Sequence, residues 1–121
     1  MDHEETLRKL AIRDDRYVES VLAEEDNLPA SALDARSHAL ARIAALIAID
    51  AAPPSYMASV ELGLEAGLTR EDIVGALVAV MPVVGVARVV SAAPKLSLAL
   101  GYDVGVALEE RAGGADLWPS S

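Results

Sequence analysis

Apolar residues recur every three or four positions along most of the chain, which is the spacing of a helix with one buried face. The clearest example is the set Ile73, Leu77, Val80 and Val84, which would share the inner side of one helix. No segment alternates between apolar and polar residues as a half-buried strand does. The pattern therefore predicts an all-α protein.

Glycine, proline and capping residues divide this pattern into about six helices. After an opening segment at residues 4–12, the first three predicted helices cover residues 15–25, 35–49 and 54–66. A fourth opens at Thr69 and is bent or broken at Pro82 and Gly85, a fifth runs to Gly101 with a kink at Pro94, and a short sixth runs from Asp103 to Arg111. Residues 26–30 are predicted to be a loop. Gly67 suits the left-handed residue that follows a helix, and Thr69 with Asp72 resembles a capping box.

Residues 1–111 are predicted to form one domain, an antiparallel helical bundle, because 121 residues is a usual size for a single domain. Hydrophobic residues make up 53% of the chain, yet it has only three Tyr, one Trp and no Phe. The core must therefore consist of Ala, Val, Leu and Ile. Residues 112–121 contain Gly-Gly, Pro and Ser-Ser and are predicted to be a flexible tail, with Trp118 as its anchor.

The charge balance is acidic, with 10 basic and 19 acidic residues and a net charge of −9. Nucleic acids and anionic membranes bind clustered Lys and Arg, so neither is an expected partner. The chain has no cysteine, which excludes disulfides, thiolate nucleophiles and Cys-ligated metal or iron–sulfur sites. Since His3 and His38 are its only histidines, we predict no metal site and no cofactor.

Charge is unevenly distributed along the chain. Residues 1–34 hold ten of the nineteen acidic residues and are predicted to be a solvated helical layer, whereas residues 73–102 hold none and are predicted to be buried in the monomer or between subunits. Residues 73–87 carry no charge at all, but fifteen residues fall short of the roughly 20 that span a bilayer. Residues 1–8 lack the features of a signal peptide. We therefore expect a cytoplasmic protein without membrane association.

Three short motifs resemble those of a known family. They are Leu-Asp-Ala-Arg at 33–36, Gly-Leu-Glu-Ala-Gly-Leu-Thr-Arg-Glu-Asp-Ile at 63–73 and Val-Gly-Val-Ala at 84–87. Over about residues 30–105 the chain is similar to the carboxymuconolactone decarboxylase and alkylhydroperoxidase D-like superfamily. The resemblance implies antiparallel helices that assemble into trimers or hexamers. The acid-free segment independently suggests assembly, because one small helical bundle cannot easily bury so much apolar surface.

The peroxidase-like branch of this superfamily uses a Cys-x-x-Cys pair, a His and an upstream Glu. By resemblance, the two cysteines correspond to Ala52 and Ser55, the His to Ser59 and the Glu to a position near Ala39. None of the four residue types is present. A serine hydroxyl cannot perform disulfide chemistry, so thiol peroxidase activity is excluded.

The decarboxylase branch needs no cysteine and implies lyase chemistry on a small organic acid. By resemblance, Pro54 and Arg36 match its pattern, whereas Ser59 stands where the family has a His. Val83 and Ala87 replace a Tyr and a Pro. The residue expected to transfer protons near neutral pH is therefore missing.

A polar stripe on an otherwise apolar helix offers a second route to chemistry. Arg88, Ser91 and Lys95 are spaced at i, i+3 and i+7, so the two cations could hold the carboxylate of a ligand. The structural alternative is ion pairing with Glu61 and Glu65, or extension of the charged ends to the protein surface. We expect apolar neighbours to enclose both cations. Because an unpartnered buried charge is costly, each cation would then need a specific anion beside it.

The remaining candidate side chains each have a functional and a structural interpretation. Ser55 and Ser59 share one helix face and either contact a substrate or bond to carbonyls one turn back. His38 either supplies the missing base or is a partly exposed residue of a first turn. Tyr56 either donates to a ligand or packs, and Arg42 either binds substrate or forms a structural ion pair.

Two hypotheses for function follow. In the first, the chain is a carboxymuconolactone decarboxylase-like lyase or isomerase. Arg88 and Lys95 would hold a small organic acid, Ser59 and Tyr56 would orient it, and His38 or a neighbouring chain would supply the general acid. In the second, the chain is a non-catalytic homo-oligomer with a ligand-binding or structural role.

Overall fold

The computed structural model of the chain describes residues 2–102, and all regular secondary structure in that range is α-helical. The helices are α1 (His3–Ala11), α2 (Asp15–Leu22), α3 (Leu28–Ser31), α4 (Ala35–Ala48), α5 (Pro53–Glu65), α6 (Arg70–Val84) and α7 (Val86–Ala99). The prediction of an all-α protein is confirmed. The predicted helix at 103–111 and the tail at 112–121 lie outside the described residues.

The helices belong to two compact units that meet in sequence between Asp34 and Ala35, and each unit is described by itself. The first unit contains α1 to α3, and none of their residues is buried, which fits the prediction of a solvated layer. The prediction of a loop at residues 26–30 is wrong, because a short helix begins at Leu28. Pro29 suits its first turn, where the missing N–H has no helical partner.

The second unit contains α4 to α7 and holds the hydrophobic core. α4 and α7 each pack against both α5 and α6, whereas α5 and α6 have little direct contact. α5 and α6 therefore lie on opposite sides of the four-helix arrangement. The largest fully buried side chains are Ile43, Ile47, Tyr56, Val60, Ile73 and Leu96. Apart from Tyr56 the core is aliphatic, as predicted.

α5 and α7 end in the same backbone motif. The N–H of Leu68 donates to the carbonyl of Gly63 at 2.9 Å, and the N–H of Gly67 donates to that of Leu64 at 3.1 Å. This is a Schellman motif, whose left-handed residue is Gly67 with φ of +97°. Gly101, with φ of +85°, has the same place after α7. The predicted end, at Gly67, of the helix over residues 54–66 is confirmed.

α6 opens with the predicted capping box. The N–H of Asp72 donates to the Thr69 hydroxyl at 3.0 Å, and the N–H of Thr69 donates to the Asp72 carboxylate at 2.9 Å. Pro82 lies inside α6 and Pro94 inside α7, so neither proline ends its helix. The break falls at Gly85, whose φ of +92° and ψ of 157° belong to a region that only glycine readily enters.

The outer side of α6 and the start of α7 are not buried within the chain. Five valines, Val74, Val78, Val83, Val86 and Val90, are between 44% and 86% exposed. Burial of the acid-free segment within the monomer is therefore incomplete. None of the helices between residues 2 and 102 is long and apolar enough to cross a membrane.

Candidate functional site

The corner between α4 and α5 places an aspartate where a glycine would be expected. The N–H of Ala51 donates to the carbonyl of Leu46 at 3.0 Å, and the N–H of Asp50 donates to that of Ile47 at 3.3 Å. This is again a Schellman motif, and Asp50 is its left-handed residue with φ of +53°. Aspartate is one of the few residues besides glycine that adopt this conformation with any frequency. The corner thus holds a carboxylate just beyond the end of α4.

Two side chains of α7 bond to this carboxylate. The Ser91 hydroxyl donates to Oδ1 of Asp50 at 2.6 Å, and Nζ of Lys95 donates to the same oxygen at 3.1 Å. Nζ of Lys95 also donates to the carbonyl of Ala51 at 2.9 Å. We call Asp50, Ser91 and Lys95 the Asp50 cluster. It connects the α4–α5 corner to the middle of α7.

The surroundings of Asp50 favour its ionised form. The hydrogen bond from Ser91, followed by the hydrogen bond and charge of Lys95, lowers the pKa of Asp50, and the charge of Arg88 adds a smaller effect in the same direction. The side chain of Lys95 is 24% exposed and that of Asp50 is 47% exposed, so the cluster is open to solvent on one side. A carboxylate with a lowered pKa is a weak base at neutral pH.

The two cations of the predicted stripe have different surroundings. Lys95 forms an ion pair, as the structural interpretation predicted, but its partner is Asp50 and not Glu61 or Glu65. Arg88 is an exposed residue, so the expectation that both cations are enclosed is wrong for Arg88. Because Arg88 is exposed to solvent, it needs no buried counter-ion. A role for it in binding a carboxylate stays a prediction.

α5 carries three further candidates, which face different surroundings. Tyr56 is fully buried, and its hydroxyl donates to the carbonyl of Leu46 at 3.1 Å. Burial, and secondarily the negative charge of Asp50, raises the pKa of Tyr56, so the phenol stays a donor at neutral pH. Tyr56 therefore packs against α4, in line with its structural interpretation. Ser55 is exposed and Ser59 is half-buried.

The two candidates on α4 are not members of the Asp50 cluster. His38 is half-buried near the start of the helix, which is the partly exposed position that one interpretation predicted. Arg42 is exposed one turn further on. A catalytic role for His38 and a substrate contact for Arg42 stay predictions.

A second polar junction connects α4 to the start of α6. Arg36 donates to the carbonyl of Gly67 at 2.7 Å and to the carboxylate of Asp72 at 3.0 Å. The hydrogen bond from the Thr69 backbone, together with smaller effects that include the charge of Arg36, lowers the pKa of Asp72. The capping box identified Asp72, but no local pattern pairs it with an arginine 36 residues earlier.

The Asp50 cluster is suited to holding the fold together and not to transferring protons. Its carboxylate is a weak base, its hydroxyl already donates to that carboxylate, and its ammonium group is part of an ion pair. Within residues 2–102, no group of three or more His, Asp or Glu side chains is placed to hold a metal ion. An Asp directly after a helix and shortly before Pro-Pro is a usable sequence signal for a left-handed turn, and it could have pointed to Asp50.

Acid is expected to weaken the fold through Asp50 and Asp72. Because both carboxyls have a lowered pKa in the folded chain, they stabilise it above the unfolded pKa of about 3.9, and this stabilisation is lost as the pH falls through the lower folded values. The melting temperature should therefore fall as the pH is lowered from 5 to 2, and the double variant Asp50→Asn, Asp72→Asn should show a flatter dependence over that interval.

The control for this prediction is Glu71→Gln, which removes an exposed carboxylate from the same turn as Asp72. Melting curves recorded by circular dichroism across the pH series compare the three proteins. An equally steep loss of stability in the double variant would show that other groups cause the acid sensitivity.

Comparisons of the chain with protein-family models, with curated proteins and with solved structures give no match. The resemblance to the carboxymuconolactone decarboxylase superfamily therefore rests on the three motifs at 33–36, 63–73 and 84–87, and it stays a hypothesis.

Proposed function

We propose that this chain is a self-assembling helical subunit, and that the Asp50 cluster is a structural connection and not a catalytic centre. The exposed apolar surface carries the proposal. Fifteen large hydrophobic side chains within residues 2–102 are at least 44% exposed, compared with twelve hydrophobic residues that form the buried core. Large apolar patches on soluble chains mark sites of association. Homo-oligomerisation would remove part of this surface from water.

The Asp50 cluster supports the non-catalytic form of this proposal. A ligand carboxylate held by Arg88 and Lys95 would have to compete with Asp50, which already occupies Lys95 at 3.1 Å. It would also approach the negative charge of Asp50 itself. Since like charges at short range repel, an anionic substrate gains little binding free energy at this position.

The solution mass of the full chain tests the proposal. We expect sedimentation equilibrium or light scattering to give an integral multiple of the 12.6 kDa chain mass, with a trimer or hexamer as the assembly that the family resemblance implies. The measurement should be repeated over a dilution series, because association depends on chain concentration. A mass of one chain throughout the series would contradict the proposal.

Incubation with a muconolactone-type acid tests the competing lyase hypothesis. We expect no change in the absorbance of the acid and no rise in the melting temperature of the protein. Turnover that is lost in the variant Arg88→Ala, while the variant keeps its helical spectrum, would establish a catalytic role instead.

A further inference from the structure

The outward side of α6 is apolar along almost its whole length. We call it the α6 face, and its residues are Val74, Gly75, Val78, Ala79, Pro82 and Val83, all of them exposed. Val78 is 66% exposed and Val83 is 86% exposed, so no other part of residues 2–102 covers them. The next exposed valines, Val86 and Val90, continue the apolar surface beyond the Gly85 break.

A groove runs beside the α6 face, between α6 and α4. It has a volume of about 380 Å³, and small residues form much of its lining, among them Ala41, Ala44, Gly75 and Ala79. Asp72 is the one charged residue that lines it, and Arg36 already binds this carboxylate at 3.0 Å. The groove is therefore a shallow apolar surface with its polar end neutralised.

The α6 face carries a ridge of larger side chains beside the small residues of the groove. Val74 and Val78 are one turn apart and form a ridge along α6. Gly75 and Ala79, each one residue further along, form the adjoining wall of the groove. Helices pack by placing the ridge of one between the ridges of another, and small residues allow a close approach. A single chain thus presents a ridge and, next to it, a groove that could receive such a ridge.

We propose that the α6 face binds the α6 face of a second copy of this chain about a two-fold axis. Each copy would place its Val74–Val78 ridge in the groove of the other, since a two-fold interface requires a surface that is complementary to itself. This inference rests on the proposed function, which states that the chain assembles, and adds which surface does so.

The lack of charge on the α6 face lets a second copy of this acidic chain approach there. The chain has a net charge of −9, so two copies repel each other over most orientations. Residues 73–87 contain no charged side chain, and contact through the α6 face therefore brings no like charges into direct apposition. A charged partner would find no opposite charge on this face and would lose the hydration of its own charges.

Two variants of the face test the interface. Val78→Glu would place two carboxylates near the axis, and Gly75→Leu would fill the groove. A Cβ at position 75 meets no atom within 4 Å in the chain, so the branch point of the new side chain has open space. In sedimentation equilibrium we expect each variant to lower the mass of the assembly at least two-fold, or to raise its dissociation constant at least about 30-fold, the effect of losing a strong interface contact.

The matched control is Leu62→Glu on α5, which is on the opposite side of the four-helix unit. Leu62 is 57% exposed, close to the 66% of Val78, and its replacement adds the same charge. We expect the control to leave the mass of the assembly unchanged. Circular dichroism verifies that all variants are folded, and if Val78→Glu unfolds the chain, Gly75→Leu alone decides.

The outcomes separate this inference from the proposed function. If the native chain is a trimer, which has no two-fold axis, the inference is wrong while the proposed function stands. The same holds if the native chain assembles and both face variants keep its mass, or if Leu62→Glu alone dissociates it. If the native chain has the mass of one chain at every concentration, both fail.

Discussion

Replacing Tyr56 by Ala is expected to lower the free energy of unfolding by about 3–5 kcal/mol, the usual cost of deleting a large buried ring. Tyr56 is fully buried and is the one aromatic residue in the core of residues 2–102, so its removal leaves a cavity among aliphatic side chains that fill it only in part. A loss of this size removes a large share of the stability of a small domain. Urea denaturation followed by circular dichroism measures it.

The conservative variant Tyr56→Phe separates the packing of this ring from its hydrogen bond. Phe keeps the ring and loses the hydroxyl that donates to the carbonyl of Leu46. That carbonyl keeps a second donor, the N–H of Ala51 at 3.0 Å, so it is not left without a partner. We therefore expect a loss of only about 0.5–1.5 kcal/mol. If Tyr56→Phe costs as much as Tyr56→Ala, packing is not the main contribution of this residue.

Replacing glycine by alanine is expected to lower the free energy of unfolding at one position and to raise it at another. At Gly85, φ of +92° places a residue with a Cβ in a strained conformation, although no atom lies within 4 Å of that Cβ. The backbone alone should therefore make Gly85→Ala about 1–3 kcal/mol less stable. Gly75 lies inside α6 and its Cβ position is equally open. Ala should add about 0.5–1 kcal/mol to the free energy of unfolding there, because glycine loses more conformational freedom than alanine when a helix forms.

Chemical denaturation of both variants, at chain concentrations low enough for the monomer, measures this pair. The comparison is internally controlled, since the added methyl group and its open surroundings are the same. A loss of stability at both positions would mean that the added methyl group clashes with an atom that lies farther away in the structure. A gain at both would mean that the break at Gly85 is not needed by the fold.

Much of the helical layout was predictable from neighbouring residues. Thr69 and Asp72 cap each other across three positions, and Gly67 ends α5 through bonds to carbonyls four residues or fewer away. Such signals act within one or two turns and are visible in a short window of sequence. The short helix α3 was missed because Pro29 suits both a loop and a first helical turn.

The candidate site was harder to predict from the sequence than the helices. The spacing of Ser91 and Lys95 placed them on one face of α7, and an ion pair for Lys95 was one of the two predicted interpretations. Its partner was misjudged, because Asp50 precedes Lys95 by 45 residues and no spacing rule connects them. The pairing depends on the direction in which the left-handed turn at Asp50 sends the chain.

Helix content, most helix ends and the apolar character of the core can thus be inferred from amino-acid order, because capping, proline geometry and periodicity operate over a few residues. The partner of Lys95, the exposure of Arg88 and the uncovered α6 face follow instead from how four helices pack. Contacts between segments dozens of residues apart depend on crossing angles and side-chain volumes summed over the whole core, and no local stretch of sequence contains that sum.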